Sequence, residues 1–547
     1  MTTDPANIVS EFQRVCAGLI EFAKDASPGT SAFRVEGEIF KQVLKAGALA
    51  MSAFLNCQAK HYHWKTATSP AGDVLPYKEE RNGIYYSIFG EIPFRRSYYH
   101  SDGTEGTFPL DAALNLPPEG PSDYRRMMLE TLSMDVAFME ATKFFAQYFA
   151  LSASSRAVQS CILADSVDAE AFYDQAKASP PVADATILVA EADGKCVPIV
   201  RRQLDTNSRG DTNSRGDAGI RSAKIDPPAL QSGHAPSLRA LPGQPKGPRK
   251  REGKTKEATL VSISTHIPFH RTPDQVWKSL FGIEEEDACV SDADHEDKAQ
   301  YTDSHDSVGS KRVWASLEGK KAALKQAKVW ADQHELSFGD HFTARLRLTD
   351  GQEHLQKAVG VAFPDYVPIL DLMHALGQLW KAAGIKFGAT TPEGRQWARE
   401  RALLMLQGQS ASIVQELDVW LATMKDGEPK ILLGNVANYL ERNLEAMKYD
   451  EYLKAGWPIA SGIIEGACRN IVKDRCERSG MRWTIEGVTA FLKLRCILAN
   501  GDWDAYHDFR MAQRAANLYK SDNLRPTRLD ETTVYRFNTE IKRAQVV

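Results

Sequence analysis

The sequence predicts a mixed α/β chain in which helices dominate both ends and strands gather in the middle. Three observations lead there. Short runs rich in β-branched and aromatic residues, among them ILVA, CVPIV, ATLVSIS, FTARLRL and YVPIL, fall between positions 187 and 370. Apolar residues recur at three- and four-residue spacing on either side of that region. Acids stand beside the ends of the runs or at the entry to a helix: Asp193, Asp350, Asp371 and Glu465.

Composition bounds the class. A chain of 547 residues suggests roughly three to four domains, and 43% hydrophobic residues suffice to bury their cores. No apolar run approaches the roughly eighteen residues that span a bilayer, and MTTDPANIVSEF lacks a basic start and an apolar stretch, so neither membrane insertion nor export is expected. Eight cysteines without a CxxC pair argue against a disulfide framework and a cysteine-rich zinc site, and fit a reducing cytoplasm. A net charge of −4 lacks the overall basic signature of a nucleic-acid binder, which leaves any such binding to local patches.

Residues 1–180 read as a mainly helical region containing a β-hairpin. Phe12, Val15, Cys16, Leu19, Ile20 and Phe22 recur at helical spacing, and Ser27-Pro28-Gly29 separates two helices within residues 5–60. GIYYSIFGEIPFRRSYYH, broken at Gly90, reads as the hairpin, with Arg95-Arg96 as a small basic cluster. Helices return from Tyr124 to about Lys177, interrupted at Ser152. The second of these carries Arg156 and Gln159, a weak signal for a DNA-reading helix-turn-helix against the more common ordinary helical hairpin.

Residues 181–393 read as the first part of an α/β core. Ile187, Leu188 and Val189 begin a buried strand, Asp193-Gly194 is expected to turn into CVPIV, and EATLVSISTHIPF supplies a third strand. Between them, residues 203–256 read as an inserted loop with DTNSRG in tandem and a basic run. Lys246, Arg249, Lys250 and Arg251 of that run suit either a phosphate backbone or a solvated linker. Residues 284–310 are acidic, nearly free of core residues, and expected to be a disordered insertion, with His295 and His305 as opportunistic metal ligands at most. VWASLEGKKAALKQAKVWADQHEL then reads as a helix, FTARLRL as a strand leading to Asp350, and YVPIL as a strand ending at Asp371. His374 follows on the next helix. Residues 394–450 form an all-helical insertion, 451–510 complete the core, and 511–547 are a tail.

The stretch from Trp457 to Trp483 completes the pattern. Pro458 and Ser461-Gly462 punctuate the chain before an apolar stripe of Ile464, Cys468, Ile471 and Val472. Glu465 falls in the first turn, and on a continuous α-helix Glu465, Arg469, Val472 and Cys476 stack, with Lys473 and Arg475 alongside. Three strands expected as an antiparallel meander, then alternating helices and strands, then an acid-bearing helix describe a ribonuclease-H-like α/β fold. In such a fold acids of the first strand, the fourth strand and the last helix converge.

ILVAEADGKCVPIV, RVWASLEGKK, RLTDGQEHLQ, LDLMHALGQLWKAA, YDEYLKAGWPIASGIIEGACRNIVKDRCERSGMRW and NGDWDAY together resemble the ISKra-type bacterial insertion-sequence transposases, relatives of the Mutator-like DDE transposases, over roughly residues 80–510. The resemblance implies a catalytic and metal-holding Asp193, Asp350 and Glu465, with Asp371 and His374 matching an acid-x-x-His element. It also implies Mg²⁺ or Mn²⁺ as cofactor, transposon-end and target DNA as partners, a homodimer or higher oligomer on DNA, and a nucleoid-associated place in a bacterial cytoplasm. Family members usually carry cysteine pairs after the Tyr-Tyr strand, whereas SYYHSDGTEGTFPLD has none, so no zinc is expected.

The implied reactions are in-line displacements at phosphorus, which two Mg²⁺ ions on hard oxygen ligands assist. Arg469, Lys473, Arg475, Arg478 and Arg482 are then expected on phosphates, and Trp483 either on an unpaired base or in the core. Adjacent strands lie about 4.8 Å apart, so Asp350, one strand from Asp193, is the expected ligand, and Asp371 with His374, two strands away, the expected supporting pair. Two other readings stay open: a nuclease on the same fold that stops at hydrolysis, and a domesticated DNA-binding protein that does not cut.

Overall fold

The computed structural model describes residues 4–69, 72–175, 179–200, 255–282, 307–388, 390–478 and 481–518. Helix Pro5–Lys24 starts on a proline at its first turn and ends before the Ser27–Gly29 break, where Gly29 takes φ +87°. Helix Ala32–His61 packs back on it through Ile8, Val15 and Leu49. Strands β1 (Thr66–Thr68), β2 (Val74–Ser87) and β3 (Gly90–Tyr99) form an antiparallel sheet in that order. The expected hairpin is present and turns at Gly90, whose φ of +118° is closed to ordinary side chains. Arg95 and Arg96 pair within this region, with Glu80 and Asp111 respectively.

The second sheet has five strands in the order β6-β5-β4-β7-β8. Strand β4 (Ile187–Pro198) is central, β5 (Thr255–His266) and β6 (Val308–Ser316) are antiparallel, and β7 (Ala344–Thr349) and β8 (Val367–Leu370) run parallel to β4. Two expectations are corrected here. Asp193-Gly194 is not a turn: β4 continues through it, with Asp193 opposite Leu260. Gly194 lies inside the paired strand, opposite Thr259, where a Cβ would stand 2.9 Å from the movable carboxylate end of Glu257 on β5. The third meander strand is β6, so VWAS belongs to a strand, and residues 308–310 belong to it rather than to an insertion. The helix begins at Lys320, after Gly319 at φ +101°. The DTNSRG repeat, the basic run and residues 283–306 lie outside the described residues.

Alternate side chains of β4 serve opposite layers. Leu188, Ala190 and Ala192 join a core with Leu324, Ala327, Ile471, Phe491 and Leu494, while Ile187 and Val189 join one with Leu372, Leu376, Leu433 and Tyr452. Each fully buried Leu, Ile or Val contributes about 1.5–3 kcal/mol, so the sheet is held from both sides. The helices Pro392–Leu406, Ser410–Thr423 and Glu428–Arg442 pack on the second layer. Helices between Asp123 and Gln175 share the first core with the sheet. The final helix, Trp503–Leu518, crosses the expected start of the tail at 511 and returns to the N-terminal region: Arg514 grips both oxygens of Asp123 at 2.8 Å, and Arg510 joins Arg126 on Asp165. No helix among the described residues is long and apolar enough to cross a membrane.

His266 ends β5 only 4% exposed, its Nε2 paired with the Ser264 hydroxyl at 2.9 Å. Burial pushes its pKa down to about 4, below the unfolded value of 6.5. The neutral ring's contribution is therefore complete above pH 6.5 and is lost as pH falls toward 4, by up to about 3 kcal/mol. Urea midpoints across that window should fall more steeply in the native protein than in His266→Gln, and parallel curves would refute this.

Candidate active site

The helix Gly462–Ala467 starts from the buried Ser461, whose side chain does not cap it. Two amides at this start, those of the buried Ser461 and Ile464, are satisfied from distant strand regions. Asp371 Oδ1 accepts from Ser461 N at 2.7 Å, and Glu191 Oε2 on β4 accepts from Ile464 N at 2.9 Å and from the Ser262 hydroxyl at 3.1 Å. Glu465 is the next residue. Beyond it, Cys468–Lys473 is a π-helical segment, so the expected continuous α-helical stacking from Arg469 to Cys476 is interrupted by a wider turn.

Asp371 follows β8 and caps the helix Leu372–Phe387: Oδ2 accepts from His374 N at 2.8 Å and lies 2.7 Å from His374 Nδ1. The acid-x-x-His spacing has a local cause, because a capping carboxylate reaches the amide and side chain three residues on. Asp371 is 0% exposed and already receives three donors. Asp350 ends β7 half-buried, its Oδ1 accepting from Gln352 N at 2.9 Å. The turn beneath it is tied down by the Tyr439 hydroxyl, which donates to Asp350 O at 2.6 Å, and by Arg442, which donates to Gly351 O at 2.9 Å. Asp193 Oδ2 accepts from the buried Cys468 thiol at 3.3 Å and Oδ1 from Gly194 N at 2.6 Å.

The acids feel one another. Burial first, then Asp193 and Asp371, raises the Asp350 carboxyl, and burial followed by Asp371 and Asp193 raises Glu465. Full burial, helped by Asp371 and Glu465, pushes Glu191 up to about 8. The hydrogen bond that His374 makes to Asp371 outweighs desolvation and, with the other acids, lifts His374 to about 9. Among the described residues, the group of acids and histidine with ligand atoms within 4.8 Å of one another is Asp371, His374 and Glu465. Of the expected trio of Asp193, Asp350 and Glu465, this group includes Glu465 and neither Asp193 nor Asp350; the acid beside Glu465 and His374 at this distance is Asp371 instead. A cleft of about 850 Å³ opens beside it, bordered by Glu465, Arg469, Asn470, Ser310, Lys311 and Gly462.

The expected phosphate contacts divide. Arg469, Lys473 and Arg482 are exposed, as is Arg156, with Gln159 half-buried on the same helix. Arg478 is exposed but engaged with Asp474 O, Asp135 O and Glu140. Arg475 is a correction: it is 1% exposed, donates to Ser133 O at 3.1 Å, and lies over the rings of Phe138, Trp483 and Phe491. Desolvation lowers its pKa to about 10. Trp483 is likewise a core residue, 7% exposed, with Nε1 donating to Cys476 O at 3.2 Å, so it has no face for a base. Lys246, Arg249, Lys250 and Arg251 lie outside the described residues.

Sequence reasoning missed Glu191. A charged residue inside the apolar run ILVAEA was the available signal, since a buried acid needs built partners. No protein-family model matches the chain, and no curated protein matches it.

Replacing Asp371 by Asn keeps an acceptor for the backbone but removes the charge beside His374. In the metal-free protein the His374 titration followed by NMR should then fall from about 9 toward 6.5, with a loss of about 1–3 kcal/mol in stability. An unchanged midpoint would show that Asp371 does not set the state of this ring.

Proposed function

We propose that the chain is a DNA transposase with a ribonuclease-H-like catalytic core, resembling the ISKra-type enzymes, that binds the ends of its element and catalyses metal-dependent cleavage and strand transfer. The observation that carries this reading is the sheet order β6-β5-β4-β7-β8, three antiparallel strands followed by two parallel ones, with Asp193 on the central strand, Asp350 at the end of its parallel neighbour, and Glu465 on a helix hydrogen-bonded to that central strand. These acids are 157 and 115 residues apart in sequence (193 to 350, 350 to 465), and yet Asp193 helps to raise both the Asp350 and the Glu465 carboxyl, after burial.

The donor set suits a hard divalent cation: carboxylates raised by like charge and burial gain most from a counter-charge. Asp193, Asp350 and Glu465 are the residues proposed to hold it, with Glu465 shared by the Asp371–His374 pair. Asp371, with three donors on its two oxygens, acts as an anchor for the helix starts and the imidazole. The presence of an imidazole near Glu465 makes Mn²⁺ a natural alternative to Mg²⁺. When bound, such ions supply Lewis-acid activation of phosphodiester displacement. The chain's own part is to aim the acids, and to hold the DNA backbone near exposed Arg469 and Lys473.

Glu465→Gln keeps shape and removes the charge, so cleavage of a plasmid carrying the gene with its flanking DNA should fall by at least about a thousandfold while DNA binding persists. Equal cleavage by the variant in Mg²⁺ would rule the assignment out. Strand-transfer product distinguishes transposition from simple hydrolysis.

The two arginines should separate cleanly. Arg469→Ala should lower DNA affinity and reduce the salt slope by about one. Arg475→Met should leave that slope alone and change only the melting temperature, and a slope reduced by Arg475→Met would contradict its burial.

A further inference from the structure

Glu191 precedes Asp193 by two residues on β4, so both side chains leave the same face of the strand. It is 1% exposed, and its Oε2 is engaged twice. One donor, Ser262 on β5, holds the carboxyl against the sheet; the other, Ile464 N, belongs to the first turn of the helix that carries Glu465. The first amides of a helix have no partner within it, and here the chain's own capping side chain does not supply one. Asp371 takes the Ser461 amide and Glu191 the Ile464 amide, so only Gly462 and Ile463 lie between the two clamps. Among the described residues, Glu465's side chain makes one long hydrogen-bond contact, 3.5 Å from the Ser461 hydroxyl, which leaves its placement largely to the backbone.

We infer that Glu191 is a positioning residue of the proposed active site: it ties the turn presenting Glu465 to the strand presenting Asp193, and so sets the spacing of those two carboxylates. The catalytic consequence rests on the proposed function, whereas the clamp itself rests on the hydrogen bonds. What the clamp requires is an acceptor oxygen at the position of Oε2, not a charge. Glutamine provides that oxygen at the same length, and aspartate is one methylene short of it.

The test compares full-length Glu191→Gln and Glu191→Asp with the native protein by hydrogen–deuterium exchange over residues 461–467 and by the Mg²⁺ dependence of plasmid cleavage. Glu191→Gln is expected to keep native exchange and cleave within about threefold of the native rate, because its acceptor is retained. Glu191→Asp is expected to release the Ile464 amide while Ser461 stays protected, and to need about tenfold or more Mg²⁺ for half-maximal cleavage. Native exchange in Glu191→Asp would overturn the clamp. Loss of cleavage in Glu191→Gln with native exchange would also overturn it, by making the charge the essential property. Should the aspartate variant fail to fold, the glutamine variant alone still decides, since the inference requires it to work. A native protein that cleaves no DNA would sink the proposed function, and the exchange comparison would still judge the clamp.

Discussion

A helix that begins inside a protein must find partners for its leading amides, because a buried amide without one costs about 1–3 kcal/mol. In this chain that requirement organises the centre of the molecule. The helix bearing Glu465 is started by acceptors from two other places, Glu191 on the central strand and Asp371 beyond the edge strand of the parallel side. Asp371 starts a second helix with its other oxygen. Two carboxylates thus connect β4, the end of β8 and two helices, and every acid of the candidate site sits on one of these elements or on β7 between them.

The arrangement gathers negative charge. Burial and neighbouring acids raise Asp350, Glu465 and Glu191, while the hydrogen bond to Asp371, against burial and with the help of the surrounding acids, raises His374 as a cation that compensates. A protonated imidazole held by a buried aspartate relieves part of that repulsion within the protein itself. The Cys468 thiol, kept protonated by burial, donates to Asp193 instead of competing with it. The charge of the acids is thus partly balanced by groups of the chain itself.

Positive charge is sorted by the same packing. The π-helical segment after Glu465 turns Arg469 and Lys473 outward, while Arg475 is carried into an aromatic nest between the N-terminal helices and the core. Arg510, Arg126 and Asp165, with Arg514 and Asp123, join the last helix to the first region of the chain. Basic residues close in sequence therefore take opposite environments: Arg469 borders the cleft, whereas Arg475 is buried against Ser133 and Phe138.

Helices and strands with a clear apolar period were legible from residues alone: the N-terminal helix pair, the hairpin turning at Gly90, β7, β8 and the helices after Pro392 follow from local periodicity and turn chemistry. Asp350, Asp371 and Glu465 were visible as acids at strand ends or a helix entry, but it was the resemblance to the ISKra-type sequences that singled out Asp193, Asp350, Glu465, Asp371 and His374 as candidate site residues. Misreadings arose where a local signal had a distant cause. Asp193-Gly194 resembles a turn, but β4 runs straight through it, paired with Leu260 and Thr259 of β5. VWAS resembles the start of a helix, but it completes the edge of a sheet whose other strands are set by pairing far along the chain. Arg475 and Trp483 look available to nucleic acid, yet they are buried by helices more than three hundred residues earlier. Period and turn propensity are properties of a short segment and can be read from it. Burial, strand partnership and the donors that reach a buried carboxylate are properties of chain crossings, and only the tertiary structure decided them.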